Sequence, residues 1–426
     1  MPRVSSFDTV NVVIVGQGYV GLPLAIETAR AGHATTGLDL DSQLVARLSK
    51  GISHVDDISD DEIRAVLGRG YCASAETAVL AEADVIVICV PTPLSADGSP
   101  DMTAVQQAVE DIARVAKPGV LVVLESTTYP GTTDDLVRPM LETPGRQIDR
   151  DFFLAFSPER IDPGNKQYNV RNTPKVVGGV TAESTRYASE FYQSFVDTVI
   201  PVKGAKEAEL AKLLENTYRH VNIALVNEMV RFCRELDIDL WEAIRAASTK
   251  PFGFQAFYPG PGVGGHCIPI DPNYLSYEVK RQLGRPFRFI ELAQEINESM
   301  PRYVVDRLQD ALNDAGKPVR GSRVLILGVT YKPNIADQRE SPAKPIAALL
   351  ERKGAILKFH DPRVDTWSIG GVTIPRADGL LTAVSQADAV LLLQAHREYD
   401  VDSLVARALL FLDTRGASTH PAAIRL

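Results

Sequence analysis

Apolar residues recur along the first half of the chain in short unbroken runs separated by helical stretches. Residues 10–15 (VNVVIV), 84–90 (DVIVICV) and 119–124 (GVLVVL) are almost continuously apolar, as strands buried on both faces of a parallel sheet should be. Strands alternating with helices imply βαβ units. The pattern predicts two further short strands, at 152–156 and 175–177, that carry the sheet to about residue 200. From 205 to 236 the period changes: AKEAELAKLLENTYRHVNIALVNEMVRFCREL has neither Gly nor Pro and repeats apolar residues at helical spacing. A helix this long suits a spine between domains or a dimer surface. Residues 287–315 are helical again, with Pro301 predicted to start a new helix. A second alternation follows, with strands at 323–327, 356–360, 389–393 and 409–412. The chain is therefore predicted to be α/β at both ends around a helical middle, in domains at 1–203, 204–316 and 317–426.

Composition narrows the class without changing this picture. A length of 426 residues exceeds one ordinary core, and 45% hydrophobic with 23% charged residues is a soluble globular balance. The formal net charge of -9 argues against a nucleic-acid partner. No apolar run approaches the roughly 20 residues that cross a bilayer, and MPRVSSFDTV lacks the apolar core of a signal peptide. The four Cys, at 72, 89, 233 and 267, show no CxxC pair and no metal spacing. The expectation is a cytoplasmic protein with no metal, membrane or nucleic-acid partner.

Chemistry enters first at GQGYVG, which matches GxGxxG between a strand and a helix. Gly16 permits the tight turn, Gly18 lets the backbone approach a pyrophosphate, and Gly21 lets helix and strand pack closely. The helix start offers N–H groups and partial positive charge to phosphates. Asp39 in TTGLDLD stands about 20 residues on, where a carboxylate accepts hydrogen bonds from ribose hydroxyls and repels a 2′-phosphate. The cofactor is thus expected to be NAD rather than NADP. VPTPL (90–94) and ESTTYPGTT (125–133) each follow a predicted strand, where loops line the cofactor crevice. Thr92 and Thr127 are candidate contacts there, and equally turn or cap residues.

The second site signal is FYPGPGVGGHCIPIDPNY, residues 257–274, which surrounds one thiol with Gly and Pro. Cys72, Cys89 and Cys233 fit inert cysteines, Cys89 in a strand and Cys233 in the long helix. Cys267 alone sits in a loop too rich in Gly to serve packing. A thiolate adds to an aldehyde, and a second hydride transfer converts the adduct into a thioester that water hydrolyses. Such chemistry takes an alcohol to a carboxylate with two NAD per substrate. The Gly264–Gly265 pair would bring backbone N–H groups to an oxyanion, and His266 and Asp271 flank the thiol.

Together GQGYVG, VPTP, the STT-PGT stretch, SPER, KLLENTYR with NEM, GVGGHCIPID and GVTYKPN-ADQRESPA resemble the UDP-glucose/GDP-mannose dehydrogenase family nearly end to end. The resemblance implies two Rossmann-like domains joined by a long central helix, NAD as cofactor, a nucleotide-sugar substrate and a homodimer. It implies that Cys267 is the nucleophile, Lys212 the active-site lysine and Asn216 the active-site asparagine. Lys212 and Asn216 are four apart and share a helix face, where an ammonium and an amide suit an alkoxide or oxyanion. By the same resemblance Asp271 orients water or lysine, Glu159 in SPER acts on the hydrolytic water, and Thr127 lies near the nicotinamide. Arg339 in ADQRESPA would reach the substrate, with Lys332 in YKPN, Gly264 and Arg160 as further substrate candidates. On residue type alone, Lys212 reads as a solvated helix lysine, Glu159 as a helix cap and Arg339 as a surface residue.

Departures from the family narrow the substrate. UDP-glucose dehydrogenases typically continue Cys-Phe-Pro-Lys-Asp, where this chain has Cys267-Ile268-Pro269-Ile270-Asp271. HCIPIDP and SPERIDPG resemble the branch acting on UDP-N-acetylhexosamines, so UDP-GlcNAc is the expected substrate. UDP-GalNAc and UDP-ManNAc are the next alternatives, then UDP-glucose and GDP-mannose. Two rivals remain: a two-electron hydroxyacid or 6-phosphogluconate type dehydrogenase, which has no use for Cys267, and a non-catalytic binding protein, which has no need of Cys267, Lys212, Asn216 and Asp271 together.

Overall fold

The computed structural model describes residues 9–55, 57–95, 99–162, 164–165, 167–265, 268 and 270–426. The chain divides into two compact units, one running to Glu215 and taking in Asn273–Arg285, the other comprising Asn216–Pro272 and Pro286–Leu426.

In the first unit, β1 (Asn11–Val15), β2 (Ala34–Leu38), β3 (Tyr71–Ser74), β4 (Val85–Ile88), β5 (Val120–Leu124), β6 (Phe152–Phe156), β7 (Lys175–Gly179) and β8 (Val199–Pro201) form one sheet in the order β3-β2-β1-β4-β5-β6-β7-β8. Every residue of β4, β5 and β6 is buried, which is why these strands read as unbroken apolar runs. The sheet departs from the parallel expectation at one place: β7 pairs antiparallel with β6, through Ala155 with Gly179 and Phe156 with Gly178. Among the described residues the 18-residue connection between these strands forms no helix, so the chain returns without a helical crossover. Strand order reverses between β1 and β4, and GQGYVG leaves the sheet at that switch point.

The second unit holds β9 (Arg323–Leu327), β10 (Ile356–His360), β13 (Ala389–Leu392), β14 (Phe411–Asp413) and β15 (Ala423–Arg425) in an all-parallel sheet ordered β10-β9-β13-β14-β15. A short antiparallel ribbon, β11 (Ser368–Ile369) and β12 (Val372–Thr373), lies outside it. One face of the sheet buries Val324, Ile326, Leu391 and Leu412 with Val230, Val304, Leu308 and Ile346 from helices. The other buries Leu325, Leu327, Val390 and Phe411 with Val384 and Leu404. In sequence order, two Rossmann-like domains thus stand before and after a helical segment.

The long helix spans Ala205–Glu235, as its unbroken period predicts. Pro301 does not start a new helix: Arg288–Asp314 is continuous, with Pro301 buried inside it. The buried stripe runs through the proline, from Ile290, Ala293, Asn297 and Met300 to Val304, Leu308 and Leu312. Packing on both sides outweighs the roughly 3 kcal/mol that an interior proline costs. Among the described residues no helix is long and apolar enough to cross a membrane.

Candidate active site

The turn after β1 has the geometry that a dinucleotide requires. Gly16 has φ +89°, and a Cβ there would lie 2.7 Å from the Cys89 carbonyl oxygen. A Cβ on Gly21 would lie 1.8 Å from Gly16 O, so the helix Gly21–Arg30 can pack here only without one. Gly18 differs in kind, with nothing among the described residues within 4 Å of its Cβ position. That open space at a helix start with no side-chain cap and no acid in its first turn suits a pyrophosphate. Asp39 is anchored beside the turn, its Oδ2 accepting from Gln17 N at 2.8 Å and its Oδ1 from Asp41 N at 3.0 Å.

Gln17, a variable position of the motif, was not singled out from sequence. Its side chain is fully buried: Nε2 donates to Ile14 O at 2.9 Å, and Oε1 accepts from Tyr71 Oη at 3.0 Å. A Cβ on Gly37 would fall 2.3 Å from that Oε1, so a side chain at position 37 would displace the Gln17 amide. The loops after β4 and β5 are joined next to this turn, where Thr92 Oγ1 donates to Thr127 O at 2.8 Å. Tyr274, fully buried in the helix Asp271–Leu283, donates to Thr92 O at 2.5 Å.

In the same unit Lys212 is not a solvated lysine. It is 7% exposed, and its Nζ lies 2.6 Å from Glu159 O and 3.1 Å from Glu159 Oε2. Glu159 is 8% exposed, and its Oε1 accepts from Ile161 N. Glu159, Arg160, Glu125 and Lys175 line one recess. Arg160 pairs there with Glu215 and donates to Pro174 O at 2.7 Å. Glu125 and Lys175, which residue type alone does not mark as site residues, make a buried ion pair at 2.9 Å, and Tyr192 Oη donates to Glu125. Lys175 also reaches Pro158 O at 3.3 Å, which ties this pair to the SPER segment.

One turn before Lys212, Glu209 is fully buried and accepts from Gly131 N at 2.6 Å, Thr133 N at 2.9 Å and Thr133 Oγ1 at 2.7 Å. Burial pushes its carboxyl up to about 7 against the pull of these donors.

In the second unit Asn216 Nδ2 donates to Asp271 Oδ2 at 2.5 Å, with Asp271 buried at the start of its helix. Cys267, His266 and Pro269 lie outside the described residues. The glycines before them are packed tightly. A Cβ on Gly264 would lie 2.5 Å from Glu340 O and 2.9 Å from Tyr331 Cβ. A Cβ on Gly265, at φ +92°, would lie 2.8 Å from the Tyr331 ring. The fold thus brings GVGG against both GVTYKPN and QRESP, segments that lie some way along the sequence. Lys332 is half-buried in the first of these, and Arg339 is exposed in the second, paired with Asp337. Asn334 (φ 68°) and Glu340 (φ 49°) hold left-handed backbone there, a conformation that non-glycine residues keep only under tertiary constraint. Arg415, also unremarked in sequence, donates from Nε to Leu393 O at 2.7 Å. Its Nη1 is 2.8 Å from where a Cβ on Gly260 would be, and burial pushes its guanidinium down to about 10.

Three consecutive family models match the chain: the NAD binding domain over residues 10–196, the central domain over 206–299 and the UDP binding domain over 325–420. The chain belongs to the UDP-glucose/GDP-mannose dehydrogenase family. It is an NAD-dependent nucleotide-sugar dehydrogenase. It is 35% identical to the UDP-N-acetyl-D-mannosamine dehydrogenase of Methanocaldococcus jannaschii, over 95% of this chain and 92% of that protein. It is 34% identical to the NDP-N-acetyl-D-galactosaminuronic acid dehydrogenase of Ralstonia nicotianae, over 98% of each. The solved structure of the UDP-D-ManNAc dehydrogenase from Pyrococcus horikoshii superposes with a TM-score of 0.88 at 31% identity, covering 97% of this chain and 98% of that one. For a member of this family, the residues around Gly16, Gly18, Gly21 and Asp39 fit NAD on geometry.

Proposed function

We propose that this dehydrogenase oxidises the C6 hydroxyl of a UDP-N-acetylhexosamine to the carboxylate in two steps, through a covalent adduct on Cys267. The observation that carries the proposal is the buried Lys212–Glu159 pair, followed one helical turn later by Asn216 on Asp271. An exposed lysine would be a bystander, whereas a desolvated ammonium next to an amide suits a developing alkoxide.

NAD, when bound, supplies the hydride acceptor for each of the two oxidations. Lys212 and Asn216 donate hydrogen bonds to the C6 oxygen while the hydroxyl proton passes to a water held beside it. The Cys267 thiolate then forms a C–S bond to the aldehyde carbon, giving a thiohemiacetal whose oxidised form is a thioester. Glu159 draws a proton from water as that water attacks the thioester carbonyl, and the C–S bond breaks to release carboxylate and thiolate. Thr127 orders water at the loop after β5, and Asp271 orients Asn216. Arg160, Lys332, Arg339 and Gly264 are assigned to the nucleotide sugar. Arg160 would exchange Glu215 for the sugar, and Arg339 would leave Asp337 for a phosphate.

The loop sequence points to UDP-GlcNAc, while similar proteins are named for its C2 epimer UDP-ManNAc and for a galactosamine-derived substrate. The proposal is therefore the N-acetylhexosamine class. We also assign a homodimer, supported by Tyr218, Leu225 and Phe232, spaced by sevens on one face of the long helix and 48%, 53% and 45% exposed.

The test is NADH formed per sugar consumed, with UDP-ManNAc, UDP-GlcNAc, UDP-GalNAc and UDP-glucose, for the native chain and Cys267→Ser. Two NADH per N-acetylhexosamine, with turnover lost in the variant, supports the proposal. One NADH per sugar, with free 6-aldehyde as the main product, overturns it.

A further inference from the structure

The loop that leads to Cys267 rests on a line of buried polar groups within the second unit. Gly260 N donates to Asn227 Oδ1 at 2.9 Å, and Asn227 Nδ2 donates to Asn297 Oδ1 at 2.9 Å. Asn297 Nδ2 then lies 3.4 Å from both His220 O and His220 Nδ1. Asn227 and His220 are fully buried, and Asn297 is 4% exposed. His220 and Asn227 are seven apart on the long helix and so share a face, while Asn297 comes from the helix containing Pro301.

The polarity of this line is set at one end. A backbone N–H can only donate, so Asn227 must turn its oxygen to Gly260 and its NH2 to Asn297. Asn297 must then turn its own NH2 to His220, whose Nδ1 is left as the acceptor with the proton on Nε2. Burial, which pushes His220 down to about 4, keeps the ring neutral as this arrangement requires. Among the described residues its Nε2 is buried with no hydrogen-bond partner, so within them the ring contributes to the line through Nδ1.

Asn297 reaches the loop a second way. Pro301, four residues on, has no N–H to offer the Asn297 carbonyl. A Cβ on Gly262, at φ +130°, would lie 3.5 Å from that carbonyl oxygen and 3.6 Å from Pro301 Cδ. The proline inside the helix thus faces the loop at the point where glycine lets the backbone come close.

We propose that Asn227, Asn297 and His220 are positioning residues for the thiol chemistry, fixing the height and register of residues 259–265 and so the presentation of Cys267. The proposal rests on Cys267 being the nucleophile.

Three measurements on the full-length enzyme test it. They are steady-state turnover, the iodoacetamide alkylation rate of Cys267 read on its peptide, and the His220 ring nitrogens by NMR. Asn227→Leu is expected to lower kcat and shift the alkylation rate by about 10- to 100-fold, with KM for NAD changed less than about twofold. Asn227→Asp keeps the acceptor for Gly260 and is expected to recover most of kcat. It also reverses the Asn297 amide, so His220 should move its proton to Nδ1 and titrate higher than in the native chain. Unchanged kcat and alkylation in Asn227→Leu would overturn the proposal. So would an Asn227→Asp variant with native His220 signals and no recovery, and that arm stands even if the leucine variant fails to fold. Cys267→Ser run alongside separates the two ideas: full turnover there would remove the nucleophile reading itself, whatever the Asn227 variants do.

Discussion

Lys212 Nζ donates to both the backbone carbonyl and the carboxylate of Glu159, a residue 53 positions earlier in the chain. Both side chains are about one-tenth exposed, so neither charge is stabilised by bulk water. Removing one partner of such a pair leaves the other buried and uncompensated. Lys212→Met is therefore expected to cost about 3–5 kcal/mol in urea denaturation, with Lys212→Met/Glu159→Leu recovering most of it. Turnover should stay at least about 100-fold down in both. A double variant that regains turnover along with stability would make the pair structural only.

The three glycines of the cofactor turn have different neighbours and should fail differently. Gly21→Ala drives a methyl onto Gly16 O, so thermal stability and NAD binding are expected to fall together. Gly18→Ala points a methyl into open space, so the melting temperature should hold while KM for NAD rises by at least about tenfold. Equal effects from the two substitutions would contradict the assignment of that space to the pyrophosphate.

Glu209 gives a pH dependence with a definite sign. Its carboxyl titrates near 4.5 when unfolded and is pushed up to about 7 by burial in the folded chain. Between these values the folded state holds a proton that the unfolded state has released, so stability falls as pH rises from about 4.5 to about 7. Above that range the loss is complete, on the order of 3 kcal/mol. Glu209→Gln removes the titration, so its stability relative to the native chain should improve steadily over that interval. Urea midpoints at pH 5, 6, 7 and 8 measure this, and parallel profiles for the two proteins would refute it.

The apolar stripe of Tyr218, Leu225 and Phe232 should be covered by a second copy. Light scattering is expected to give twice the chain mass for the native protein and the single-chain mass for Leu225→Glu/Phe232→Glu. A native monomer at micromolar concentration would leave the stripe without the proposed role.

What the sequence determined by itself is local or periodic. The GQGYVG turn and Asp39 are legible because glycine's backbone freedom, a helix start and a strand end all fall within about 25 residues. The buried strands β4 and β5 declare themselves as unbroken apolar runs, and the 31-residue helix through its period of 3.6. Asn216 and Lys212 share a face because four residues make about one turn. Pro301 misleads at this level, since its local preference for a helix start loses to a buried stripe that only the packed structure supplies. The antiparallel pairing of β7 also escapes the sequence, since the alternation of strands and helices predicts parallel neighbours. Glu159 beside Lys212, Lys175 beside Glu125, Gly264 under Tyr331 and the line from Gly260 to His220 were decided by tertiary structure alone. Each joins groups dozens of residues apart. A side chain's type states what it can donate, accept or carry, but its burial and its partner exist only once the intervening chain has closed around them.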